Sequence, residues 1–133
     1  MEKPKTRKYI FLAPAAQSYA PVRLLIDEAL REQGLEPLAE EFAPGLKVSD
    51  AVLLAIEQAD VVVADLTETD PNVMYQVGYA HAGRKPVLLL TQQRTGRLAA
   101  DVGGNLFFVY DPAQPASLRE NIKRWLRFYP LAA

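Results

Sequence analysis

Apolar residues in this chain fall into two alternating patterns: short unbroken runs, and longer stretches with helical spacing. The runs are Tyr9–Ala13 (YIFLA), Val61–Leu66 (VVVADL), Pro86–Thr91 (PVLLLT) and Leu106–Tyr110 (LFFVY), with a weaker one at Leu35–Ala39. Each has the length of a strand, and a run that is apolar throughout predicts a strand covered on both faces. Between them, Val22, Leu25, Ile26, Ala29 and Leu30 recur at helical spacing over Pro21–Gln33. Val52, Leu53 and Ile56 do the same over Ser49–Gln58, and Leu118, Ile122, Trp125 and Leu126 over Ala116–Phe128. A further helix is expected over Pro71–Gly83, with Asp70 as its cap and Pro71 preorganised in its first turn. Gly34 and Gly83 suit helix stops. Residues 1–8 read as a frayed polar lead-in, 40–45 as an acidic, aromatic loop, and 92–105 as a long polar connection with room for a helical turn around 97–101.

Strands alternating with helices predict a single α/β domain over 1–133, with a parallel sheet covered on both faces. Five strands in so short a chain suggest the flavodoxin-like order 2-1-3-4-5 with right-handed crossovers. In such sheets the ligand crevice lies beyond the carboxyl ends of the strands, at the switch point between strands 1 and 3. The residues following Ala13, Ala39, Leu66, Leu90 and Val109 are therefore the ones expected to carry chemistry.

Composition narrows this further. A net charge of −1 over 133 residues offers no basic surface for nucleic acid or anionic membranes. Without cysteine there is no disulfide, thiolate nucleophile or zinc–cysteine site, and one histidine cannot build a multi-histidine metal centre. The apolar segment near the N-terminus is too short for a signal sequence, and no window approaches a membrane span. A cytoplasmic protein without metal or cofactor is the expectation.

Several polar residues fall at the predicted crevice. Asp65, at the end of strand 3, reads either as a turn carboxylate bonding nearby backbone or as an acceptor for a ligand hydroxyl. Asp70 is justified by capping alone, and Asn72 follows in the first helical turn. Gln76 lies one and a half turns into this helix, and helical side chains lean back toward the N-terminus, so its amide is expected to face the crevice. On the same face Val73, Ala80 and Gly83 would press on the sheet. Gly78, costly in a helix interior, suggests close packing. His81 falls on another face and reads as a surface or satisfied core residue, and Tyr75 and Tyr79 as packing or interface residues. The loop after strand 1 (PAAQSYAP) has no glycine-rich phosphate fingerprint, but its helix N-terminus could receive an anion, with Ala13, Pro14, Gln17, Ser18 and Tyr19 nearby. Thr91 and Gln92 after strand 4, and Tyr110 and Asp111 after strand 5, could form the opposite wall.

The stretch Ala59–Leu90, reading ADVVVADLTETDPNVMYQVGYAHAGRKPVLLL, resembles the nucleoside 2-deoxyribosyltransferase superfamily and its TIR-like relatives. These often carry ADLT-x-x-NPNV-x-YELG-x-AHA, and the first strand and the first two helices fit the same layout more loosely. The resemblance implies a flavodoxin-like domain that cleaves or transfers the base of nucleosides or nucleoside monophosphates, or, in TIR relatives, releases nicotinamide from NAD. In the transferases a helix glutamate attacks the anomeric carbon, and its position falls here on Gln76; the residue six places earlier, which handles sugar or base, falls on Asp70. By their placement at the predicted strand ends, Asp65, Asn72, Ala13, Pro14, Gln17, Tyr19, Thr91 and Gln92 are the expected ligand contacts. A neutral amide is a very poor nucleophile, so a loss on the order of 10^3-fold or more is expected relative to a glutamate. Three explanations stand at this point: an introduced glutamate replacement, a relative that binds nucleotides without cleaving them, or a different chemistry carried by Asp65 or Asp70. Related enzymes often complete their sites across a subunit interface, so a homodimer or larger homo-oligomer is expected, with Tyr75, Tyr79, Trp125, Phe128 and Tyr129 as exposed aromatic candidates.

Overall fold

A computed structural model describes residues 6–38, 48–92 and 107–128. Five strands, β1 (Arg7–Leu12), β2 (Leu35–Pro37), β3 (Val61–Asp65), β4 (Val87–Thr91) and β5 (Phe107–Val109), form one sheet in the order β2-β1-β3-β4-β5. Every pairing is parallel, with Tyr9 opposite Val61, Ala64 opposite Leu89, and Leu90 opposite Phe108. The flavodoxin-like order expected from the alternation is thus the observed one.

Four helices cover the sheet: α1 (Ala20–Glu32), α2 (Val48–Gln58), α3 (Pro71–Ala82) and α4 (Pro115–Phe128). On one face Val22, Ile26, Ala29 and Leu30 of α1 and Leu118, Ile122 and Trp125 of α4 pack against Tyr9, Val61, Val63, Leu88 and Leu90. On the other, Ala55 and Ile56 of α2 and Val73, Val77 and Ala80 of α3 pack against Ile10, Leu12, Val62, Ala64 and Leu89. All five residues of β3 are buried, and its apolar run over 61–64, ended by Asp65, is what a central strand sandwiched between helices requires. Burial of each such Val or Leu contributes about 1.5–3 kcal/mol.

The structure corrects several expectations. The first strand starts at Arg7, inside the supposed frayed lead-in, because Arg7 and Lys8 pair with Leu35 and Glu36 of β2. The Lys8 N–H also donates to the Asp60 carboxylate at 2.8 Å, and its ammonium pairs with Glu36 at 2.9 Å. Trp125 is buried at 4% exposure, not an exposed interface aromatic, because it lies on the apolar stripe of α4 that faces the core. Gly78 is exposed, and a Cβ there would meet no atom within 4 Å, so close packing is not the reason for this glycine. Gly83 is likewise exposed at the end of α3 and does not press on the sheet. The 40–45 loop, the turn expected around 97–101, the Phe128 side chain and Tyr129 lie outside the described residues.

Candidate functional site

The carboxyl end of β3 leads into a turn in which the Leu66 carbonyl accepts from the Thr69 N–H at 3.2 Å. Thr69 sits in left-handed backbone at φ 47°. Asp70 follows in extended conformation, and its Oδ1 accepts from the N–H groups of Asn72 (2.8 Å) and Val73 (3.2 Å). This is an N-cap that satisfies two otherwise orphaned donors, and the Pro71 after it has no N–H to satisfy. The cap fixes the start of α3, and with it the direction in which Asn72 and Gln76, four residues apart on one face, project.

They project into a cleft of about 560 Å³ between the end of β1 and the start of α3. Its apolar floor and rim come from Phe11 to Ala15, with Val52 of α2 and Val73 of α3; its polar groups are Arg23, Asp70, Asn72 and Gln76. Gln76 is half-buried, and among the described residues its amide has no hydrogen-bond partner. Asp70 is the one carboxylate on this cleft among the described residues. Its Oδ1 is committed to the cap, which leaves Oδ2 for a ligand. Asp70, Asn72, Gln76, Ala13 and Pro14, all expected at the crevice from the sequence, are thereby brought together. Arg23, Phe11 and Val52 were not anticipated. Arg23 carried one legible sign: a cation in the first turn of α1, the end of a helix that disfavours positive charge.

Asp65, Gln17, Tyr19, Thr91 and Gln92 do not line this cleft. Gln17 sits exposed on a single 3-10 turn before α1, while Tyr19, at its end, is buried. Asp65, only 1% exposed, closes a ring of hydrogen bonds at the ends of three strands. Its Oδ1 accepts from the Thr67 N–H at 2.9 Å, and its Oδ2 accepts from the Tyr110 hydroxyl. That hydroxyl accepts in turn from Gln92 Nε2 at 3.1 Å, and the Gln92 N–H donates to Thr67 Oγ1 at 2.9 Å. With both oxygens satisfied inside the protein, Asp65 supports the turn that carries Asp70 and does not itself meet a ligand in this arrangement. Burial first, then the bond to Asp65 and its charge, push the Tyr110 phenol far above its usual range. Burial also raises Tyr19 to about 12, helped by the negative charges of Asp65, Glu68 and Asp70. Thr91 is buried beside this ring, and Gln92, Tyr110 and Asp111 line a separate depression of about 300 Å³ near the start of α4.

Neither face of α3 offers a metal site, since no group of three or more His, Asp or Glu side chains converges among the described residues. No helix among them is long and apolar enough to cross a membrane. His81 is half-exposed on the last turn of α3, and the Tyr79 hydroxyl donates to Glu57, tying α3 to α2.

The chain is 38% identical over 98 residues to 5-hydroxymethyl-dUMP N-hydrolase of Rattus norvegicus and 37% identical to that of Mus musculus. These alignments cover 68% of the chain but only 59% and 56% of the two relatives, so the chain spans under three fifths of their length. Among solved structures, a CMP N-glycosidase of Clostridium botulinum superposes with TM-score 0.69 at 18% identity, over 90% of this chain and all of that one. A TIR domain of a Toll-related receptor from Hydra magnipapillata follows at 0.64 and 13% identity, covering 90% of this chain and 97% of that one. A 2-deoxyribosyltransferase of Bacillus psychrosaccharolyticus gives 0.60 at 16%, over 80% and 88%. At these identities the structural likenesses speak for the fold alone. The model of the family described as nucleoside 2-deoxyribosyltransferase matches residues 7–115, from the first strand to the start of the last helix, and the chain belongs to that family.

Proposed function

We propose that this domain binds a nucleoside or nucleotide in the Gln76 cleft and that the amide at Gln76 impairs cleavage of the ligand's N-glycosidic bond. The observation that carries this is the half-buried Gln76 amide, facing the cleft with no protein partner among the described residues. The half-buried amide keeps a donor and an acceptor open toward the cleft, and a ligand hydroxyl or ring nitrogen would bond to them. The named activity of the rodent relatives, N-hydrolysis of a deoxyuridine monophosphate, supports a nucleotide as the ligand class.

In a glycosidase of this type a carboxylate oxygen bonds to the sugar C1′ as the C1′–N bond breaks and its electron pair leaves with the base; water then hydrolyses the ester. Gln76 has no negative charge to offer C1′. Asp70 is a weak substitute, because one of its oxygens holds the start of α3. The apolar lining from Phe11 to Pro14, with Val52, suits the flat faces of a sugar and base, and in this reading Asn72 and Asp70 Oδ2 bond the ligand's hydroxyls.

The binding half of this reading is tested by thermal shift of the full chain against deoxynucleosides, their monophosphates and NAD at millimolar concentration. At least one is expected to raise the melting temperature, and Gln76→Ala to weaken that ligand. No shift with any of the panel, or an effect that survives Gln76→Ala undiminished, would place the ligand site elsewhere.

A further inference from the structure

Arg23 is electrostatically out of place. It stands in the first turn of α1, where the positive end of the helix dipole opposes a cation. Asp27, four residues on, is the natural ion-pair partner at helical spacing. Both oxygens of Asp27 are already taken: Oδ1 accepts from the Tyr9 hydroxyl at 2.9 Å and Oδ2 from Arg31 Nε at 2.8 Å. Burial would raise the Asp27 carboxyl, but the bonds from Arg31 and Tyr9 and the Arg31 charge outweigh it and hold the group below its ordinary value. Among the described residues Arg23 has no salt bridge, and its guanidinium lies 5.2 Å from the centre of the Phe11 ring.

Phe11 and Arg23 both line the Gln76 cleft, and Arg23 is its one cation among the described residues. A guanidinium stacked on an aromatic face keeps its edge N–H donors free in a fixed plane, the geometry that meets two oxygens of a phosphate. An anion there would offset both the missing ion pair and the unfavourable helix end.

We infer that Arg23, held against Phe11, is the residue by which the cleft selects a phosphorylated ligand over the matching nucleoside. This rests on the nucleotide-binding reading of the cleft and adds to it the group recognised and the residue that recognises it.

The test measures affinities of the full chain for matched pairs, dUMP with deoxyuridine and dCMP with deoxycytidine, in wild type, Arg23→Gln and Arg23→Lys. Wild type is expected to prefer each monophosphate by about tenfold, a preference that weakens as salt rises. In Arg23→Gln the monophosphate-to-nucleoside ratio falls toward one. In Arg23→Lys, which keeps the charge and loses the planar fork, it falls partway. Arg23 is exposed, so both variants should unfold cooperatively near the wild-type temperature, and circular dichroism checks this. Equal wild-type affinity for both members of each pair overturns the inference while leaving the nucleotide-type cleft standing. A ratio unchanged by Arg23→Gln overturns it too, since the phosphate would then be read by another group. Failure of every ligand to bind removes the cleft reading and this inference together.

Discussion

At the scale of single residues, Asp70 and Asp65 show how one acidic side chain can be structural, another available, and how sequence alone leaves the two undecided. Both stand near the end of the central strand, yet Asp65 spends both oxygens inside the protein and Asp70 only one. Asp70→Ala should therefore lose about 1 kcal/mol of stability by removing the cap, whereas Asp70→Asn should lose much less, because asparagine caps almost as well. If ligand binding falls equally in both variants, the carboxylate charge matters to the ligand; if it falls only in the alanine variant, Asp70 acts through the helix start. Chemical denaturation and the ligand-induced melting shift, measured on the same two proteins, separate these outcomes. Removing the Tyr110 hydroxyl leaves Asp65 Oδ2 and Gln92 Nε2 unpaired in a buried place. Tyr110→Phe should cost about 1–3 kcal/mol, seen as a drop of several degrees in melting temperature. Both the buried Asp65 and its distant partner became legible only in three dimensions: the tie joins residues 45 positions apart.

At the scale of elements, the strand and helix assignments followed from periodicity because each element obeys a simple rule: continuous apolar strands inside, one apolar stripe per helix outside. Start signals were equally plain in Asp70-Pro71. What failed was inference from glycine about packing, while Gly34 and Gly83 do stand at helix ends. Gly78 was read as a close-packing site, but it lies on the open face of α3 with room for a side chain. Gly78→Ala should accordingly stabilise the protein by up to about 1 kcal/mol, through better helix propensity and no new clash. A lower denaturation midpoint in that variant would show that the glycine is needed for something that this face alone does not reveal. Trp125 was read both on the apolar stripe of the last helix and among the exposed aromatics, and burial against the sheet beside Leu118 and Ile122 upholds the first reading alone. The walls of the cleft from α1 and α2, Arg23 and Val52, were missed because crevice residues were sought only after strand ends.

At the scale of the whole molecule, the ends of β3, β4 and β5 are tied together through the buried Tyr110 phenol, and a second phenol, Tyr19, is buried just before α1. Burial and nearby negative charge raise Tyr19 to about 12, and burial with the Asp65 bond takes Tyr110 higher still. A phenol whose folded value lies above its unfolded value favours the fold while protonated. That contribution is fully present below the ordinary tyrosine value, about pH 10, and is lost as pH rises through the folded values. Stability should therefore decline steeply above about pH 10, and less steeply in Tyr110→Phe, as followed by melting temperature in alkaline buffers. The family match covers the stretch from Ala59 to Leu90 in which the sequence resembles the family's motif. In the proposed reading the departure from that motif lies in one functional group, the Gln76 amide.

The most direct test compares this chain with its Gln76→Glu variant for release of free base from deoxynucleoside monophosphates, read by chromatography under single-turnover conditions. The account predicts base release by the glutamate variant at least about 10^3-fold faster than by the glutamine protein. Equal rates in the two proteins, whether fast or undetectable, would contradict the claim that the amide at Gln76 is what holds this site back from cleavage.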